Sequence, residues 1–185
     1  MPTYPDLTPC DYYPNPELFF RRILAPLDVT SILDVGAGHG GVFDYGYWTA
    51  KSITRAACDL TWMRAMDPAW ECRTGVDVQR LVEAYGAKSF DLVQCMEVLE
   101  HVPNPRLALE QLVAVARKAV IITSADETQH EGPEQEAIEK VNPGQRYLAQ
   151  PRVEDLLDLG FEVRVERAHR RQLVAWRIAP DSIEP

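Results

Sequence analysis

Residues 31–41, SILDVGAGHGG, decide how this chain is read. An apolar run ends in Asp34-Val35 and passes at once into a glycine-rich turn. Gly36, Gly38, Gly40 and Gly41 have no Cβ, so the backbone there can bend tightly and approach a ligand closely. A strand that feeds such a turn, with a helix to follow, points to a nucleotide-shaped ligand. Gly36, Gly38 and Gly41 satisfy G-x-G-x-x-G, a pattern weak on its own because several ligand classes share it.

The residue two places before the first glycine carries more information. Asp34 sets a carboxylate at the mouth of the turn, where it would repel the phosphates of a dinucleotide. It suits a ligand whose nearby group is cationic. S-adenosylmethionine has an α-amino group and a sulfonium, and no phosphate. An NAD-dependent oxidoreductase stands as the alternative, resting on the three glycines alone. A non-catalytic subunit of a modification complex is a further alternative.

Outward from the turn, strand and helix patterns alternate. Asn15-Pro16 starts a helix that stops before Pro26. Ile53–Cys58 is a second apolar run ending in Asp59, and a third strand is expected near Glu71–Thr74. A helical stretch is expected over Leu60–Met66, and a helix led by Asp77 ends at Gly86. Phe90–Cys95 reads as a fourth strand, Pro105–Arg117 as an amphipathic helix and Val120–Thr123 as a fifth, doubly buried strand. After a polar segment, 126–150, come a helix over 151–159 and two alternating strands. The pattern predicts an α/β fold with a doubly wound, mostly parallel sheet and an antiparallel last strand.

Bulk properties narrow the class. The 185 residues predict one domain: an N-terminal helical cap (1–28), a cofactor core (29–125), a polar substrate-side segment (126–150) and a terminal helix and hairpin (151–185). A net charge of −9 argues against general nucleic-acid binding. No apolar run reaches the roughly 20 residues of a membrane span, and the N-terminus lacks a signal layout, so a cytoplasmic location is expected. Cys10, Cys58, Cys72 and Cys95 show no C-x-x-C spacing; neither disulfide nor metal is expected, and Cys58 and Cys95 read as small buried hydrophobes.

Two further carboxylates belong to the expected site. Asp59 ends the second strand about 20 residues past the turn, where an open α/β sheet presents an acid to a ribose. Its two oxygens can accept from both hydroxyls. Asp77 has two readings: acceptor for an adenine amine, or simple helix cap.

Together, LDVGAGHG, the acid in AACDL and SFDLVQCMEVLEHVPNP resemble the class I S-adenosylmethionine-dependent methyltransferases of the small single-domain type. The resemblance covers residues 30–124 well and the terminal hairpin more loosely. It implies a seven-stranded sheet of order 3-2-1-4-5-7-6 with strand 7 antiparallel. Carried onto this chain, Asp34, Gly36 and Gly38 border the methionine part of the cofactor. Asp59 holds the ribose, Leu60 packs on the adenine face, and Asp77 and Val78 meet the adenine edge. Gln94, Cys95 and Met96 approach the methionine amino group.

Methyl transfer from a sulfonium needs the acceptor held in line, and a base only if the acceptor is a hydroxyl. His101, in VLEHV, is either that base or a structural support; His130 is the second candidate. Glu131, Arg146 and Tyr147 are candidate substrate contacts on the polar segment, and His39 lines the cofactor mouth. The expected acceptor is a small polar metabolite, methylated on oxygen or nitrogen; a homo-oligomer is left open.

Overall fold

The computed structural model describes residues 16–38, 53–61, 70–125, 148–166 and 172–182, with side chains from residue 19 onward. Helix α1 (Pro16–Leu24) leads into β1 (Ser31–Val35). Strands β2 (Thr54–Asp59) and β3 (Trp70–Thr74) follow. A 3-10 turn (Val78–Arg80) runs into the short helix α2 (Leu81–Tyr85). Then come β4 (Phe90–Met96), a second 3-10 turn (Leu99–His101), α3 (Pro105–Val115) and β5 (Ala116–Ala125). Helix α4 (Val153–Asp158) precedes the hairpin β6 (Glu162–Glu166) and β7 (Gln172–Ile178).

The strands form one sheet of order β3-β2-β1-β4-β5-β7-β6. Strands β1 to β5 pair in parallel, and β7 runs antiparallel to both β5 and β6. Order and direction are those the resemblance implied. Side-chain alternation sorts the core onto two faces. Leu33, Val35, Val93, Cys95, Val120 and Ile122 pack with α2, α3 and α4 through Leu81, Leu109, Leu112 and Leu156. Ile32, Leu92, Met96, Ile121 and Trp176 pack on the opposite face with Phe20 and Leu24 of α1. Phe19 adds an edge-to-face contact with Trp176, ring centroids 5.4 Å apart.

Several boundaries differ from expectation. Helix α3 ends at Val115, not Arg117, and β5 begins at Ala116 rather than Val120. The helical period runs on in the sequence, but a buried acid across the sheet interrupts it. Asp91 accepts from the Thr30 amide (2.8 Å), the Thr30 hydroxyl (2.7 Å) and Arg117 Nε (2.9 Å). Arg117 Nη2 also donates to Ser31 Oγ, and Lys118 reaches the Asp28 carbonyl. Arg117 stays largely exposed while it makes these bonds, and the backbone carrying it is extended. The pairing shifts between Phe90↔Ala116 and Leu92↔Ala119, a bulge that absorbs the extra residue. Helix α4 likewise spans Val153–Asp158, shorter than 151–159, because Arg152 is extended.

Burial works against the charge of Asp91, but the bonds from Thr30 and Arg117 outweigh it and hold its carboxyl below the usual range. Asp91→Ala is expected to cost about 2–4 kcal/mol, since it strands the donors gathered around it. Urea unfolding at pH 7 measures this. An acid so depressed stabilises the fold above its unfolded pKa and ceases to as pH falls through its folded value, so the variant's deficit should narrow on strong acidification.

Candidate active site

The strand order reverses between β1 and β4, and the crevice outside their carboxyl ends is where open α/β sheets take ligands. The glycine turn folds over the end of β2: the amides of Gly36 and Ala37 donate to the Cys58 carbonyl at 2.8 and 3.1 Å. Gly36 and Gly38 adopt φ of +73° and +47°, a left-handed conformation costly for other residues. A methyl on Gly36 would lie 2.2 Å from Val98 Cγ2, so this glycine lets the turn close on the loop after β4. Among the described residues, a methyl on Gly38 would meet only ordinary contacts, the Gly36 carbonyl at 3.9 Å and Asp59 Oδ2 at 4.0 Å.

Asp59 ends β2 beside this turn. Its Oδ2 accepts from the Gly38 amide at 3.0 Å, and its Oδ1 from the Thr61 amide at 3.0 Å and the Thr61 hydroxyl at 3.3 Å. The carboxylate is thereby oriented, and among these bonds Oδ2 keeps a lone pair for a ribose hydroxyl. Leu60, next in line, leaves 60% of its surface exposed at the rim, an apolar plate available to a flat ring. The Val76 amide donates to the Asp59 carbonyl, which draws Asp77 toward the same corner. Asp77 caps the 3-10 turn, accepting from the Gln79 amide at 2.8 Å. The capping reading is therefore realised, and Val78 is buried in the core behind it.

Asp34 is the inner wall, only 6% exposed. Burial raises its carboxyl to about 6; the Gln94 amide pulls the other way, and nearby Asp59 adds to the rise. Asp34 and Gln94 are register partners across β1 and β4, on the α1 face. The Gln94 amide favours the ionised acid, yet neither its Oε1 nor its Nε2 makes a hydrogen bond of ordinary geometry. A buried acid beside an unmatched amide suits a ligand that brings N–H donors and positive charge. Met96 lies on this same face. The Cys95 side chain does not: alternation turns it into the opposite core, where burial raises its thiol far above the usual range. Cys58 is buried likewise and pushed up to about 12, mainly by burial.

Past β4, Glu97 takes φ of +55°, a strained turn in a non-glycine residue. It delivers the 3-10 turn that carries the half-buried His101. Glu100, beside it and not singled out by sequence reasoning, is 1% exposed and bonded to the end of β5. Only the run of two acids in MEVLEH hinted at a second carboxyl here. The expected residues His39, His130, Glu131, Arg146 and Tyr147 lie outside the described residues. Among the described residues, no group of three or more His, Cys, Asp or Glu is arranged for a metal ion, and no helix is long and apolar enough to cross a membrane.

A sequence model of the methyltransferase domain family matches residues 14–140. The chain belongs to that family. Its cofactor is S-adenosylmethionine, and the residues described above fit it: acids rather than phosphate-binding cations, and an unmatched buried amide beside Asp34. Curated relatives include the ubiquinone biosynthesis O-methyltransferase of Paracidovorax citrulli, 39% identical over 92 residues, covering 44% of this chain and 37% of the relative. That of Photorhabdus laumondii is 36% identical over 87 residues, covering 40% and 33%. The matched part thus spans about a third of these relatives' length. Among solved structures, the citrinin polyketide synthase CMeT domain superposes with a TM-score of 0.63 at 16% identity, over 92% of this chain and 52% of that one. A magnesium protoporphyrin IX methyltransferase from Synechocystis, solved with bound SAH, gives 0.56 at 20% identity, over 86% and 79%. At such identities the likeness speaks for the fold. Membership decides against the oxidoreductase alternative.

Proposed function

We propose that this methyltransferase domain transfers a methyl group from S-adenosylmethionine to a hydroxyl of a small, polar metabolite. The observation that carries the reading is the pair of acids flanking the glycine turn, Asp34 buried beneath it and Asp59 bonded to it. The relatives named as O-methyltransferases favour oxygen as the acceptor atom.

When bound, the cofactor supplies a methyl activated by a sulfonium, with a neutral thioether as leaving group. The chain's own work is holding and desolvating. Asp59 takes the ribose hydroxyls while the Gly38 amide keeps its carboxylate in place. Leu60 covers a ring face, and Asp77 and Val78 form the corner beside it. Asp34 and Gln94 receive the amino group: ionised Asp34 gives the countercharge and Gln94 Oε1 the neutral acceptor. Met96 and the Cys95 backbone close the floor. His101 stands on the turn after β4 as the group to take the acceptor hydroxyl's proton. The 126–150 segment, with His130, Glu131, Arg146 and Tyr147, forms the acceptor side.

Titration calorimetry with S-adenosylmethionine tests the cofactor arrangement. Asp59→Ala should weaken binding by one to two orders of magnitude, the worth of about 1.5–3 kcal/mol of charge-assisted bonds. Unchanged affinity removes Asp59 from the site. Incubating the protein with methyl-labelled cofactor and a pool of polar metabolites identifies the acceptor; label found only on amines contradicts the hydroxyl assignment.

A further inference from the structure

Three stretches distant in sequence meet at Glu100. Its side chain reaches the end of β5: Ser124 Oγ donates to Oε2 at 3.1 Å, and the Ala125 amide donates to Oε1 at 3.3 Å. Its main-chain carbonyl accepts from the amides of Leu148 and Ala149, at 2.7 and 3.4 Å. Gln150 Nε2 then donates to the Ala125 carbonyl at 3.0 Å. Ala125, at the carboxyl end of β5, and Leu148 are therefore both held by one residue. We propose that Glu100 is a positioning residue, a clasp whose carboxyl and carbonyl together fix both ends of the acceptor-side segment against the strand ends that hold the cofactor. This rests on the reading of residues 126–150 as the acceptor side.

A fully buried acid is a costly way to make a purely structural contact. What Glu100 provides is directional: one side chain satisfies a hydroxyl and a strand-end amide while its backbone stays free to take two more donors. Burial, with Glu97 nearby, raises its carboxyl to about 8, so it carries its proton at neutral pH. In that form its oxygens can still accept from Ser124 Oγ and the Ala125 amide. Among the described residues, the ionisable groups facing it are Glu97 and Cys95 from the end of β4, with His101 next in the chain. Ser124, Ala125 and residues 148–150 bring no charge to it. Ionisation would set a second negative charge beside Glu97.

Hydrogen exchange of the whole chain reads the clasp without any activity. In Glu100→Ala the Leu148 and Ala149 amides should exchange at least about tenfold faster, while Leu33 and Val93 in the central strands stay unchanged. Glu100→Gln should keep near-native protection, because its amide can accept from Ala125 and donate to Ser124 Oγ. In the native protein, protection at Leu148 and Ala149, corrected for intrinsic rates, should fall as pH rises through about 8; in Glu100→Gln it should not. Unchanged exchange in Glu100→Ala, or acceleration spread equally to Leu33 and Val93, overturns the proposal. Should Glu100→Ala not fold, Ser124→Ala gives the milder test, with an expected rise of about threefold at the same two amides, and no rise overturns it equally. Calorimetry separates this from the cofactor reading: Glu100→Ala should bind S-adenosylmethionine within about threefold of the native chain. A loss as large as that of Asp59→Ala would move Glu100 into the cofactor site and end the proposal. Failure of the native chain to bind would count against the cofactor reading, not the clasp.

Discussion

Replacing Asp34 with Asn is expected to stabilise the ligand-free protein by about 3 kcal/mol at pH 8, and by roughly half that at pH 5. The acid's pKa is 3.8 when exposed and about 6 in the fold. Below 3.8 both states hold the proton and Asp34 costs nothing. Between the two values the unfolded chain releases a proton that the folded chain retains, so rising pH favours unfolding. Above about 6 both states are ionised, and the full cost of a buried charge persists, a little over two pKa units at about 1.36 kcal/mol each. Asn has no such dependence. Denaturant titrations of both proteins at pH 5 and pH 8 measure the difference; an Asn variant less stable at pH 8 contradicts the burial argument.

The same substitution should damage binding. On the proposed reading, an ionised Asp34 is the countercharge for the cofactor's amino group. Affinity of the native protein should therefore rise as pH climbs through about 6, and Asp34→Asn should bind about 10–100-fold more weakly with a flat profile over that range. Stability gained and affinity lost in one variant is the signature of an acid kept for its ligand. Equal affinity in both proteins would detach Asp34 from the site.

The second large effect is steric. Gly36→Ala should destabilise the fold by about 2–5 kcal/mol, combining overpacking with a left-handed backbone unfavourable to alanine. The added methyl would sit 2.2 Å from Val98 Cγ2. Valine is branched at Cβ and stiff, and its Cβ is itself only 3.2 Å from the new methyl, so rotation gives little relief. Val98→Ala in the same chain should recover the overpacking share and leave the backbone share. Thermal melts of the two single variants and the double variant apportion them. Strictly additive losses would show that Gly36 and Val98 do not meet.

Much of the fold was legible because its signals are local. The run Ser31–Val35 matches the strand residue for residue, and β4 is longer than read only by Met96. Asn104 and Pro105 announce the start of α3, and the Leu107 amide indeed donates to Asn104 Oδ1. The end of that helix was not legible. Nothing near Arg117 in the sequence reveals that its partner is Asp91, 26 positions away on another strand. The site divides the same way. Asp34, Asp59 and the glycines stand in a recognisable order, whereas the role of Cys95 depended on which face of β4 it occupies, and Glu100 on which strand end it touches.

By itself the sequence determined the α/β alternation, the glycine bend and the acids beside it, since each depends on residues adjacent in the chain. The tertiary structure alone decided that Asp34 is buried enough to hold its proton to about 6, that Gln94 faces it, and that Glu100 joins β5 to residue 148. Those properties arise from desolvation and from contacts between distant segments, and both exist only once the sheet has assembled.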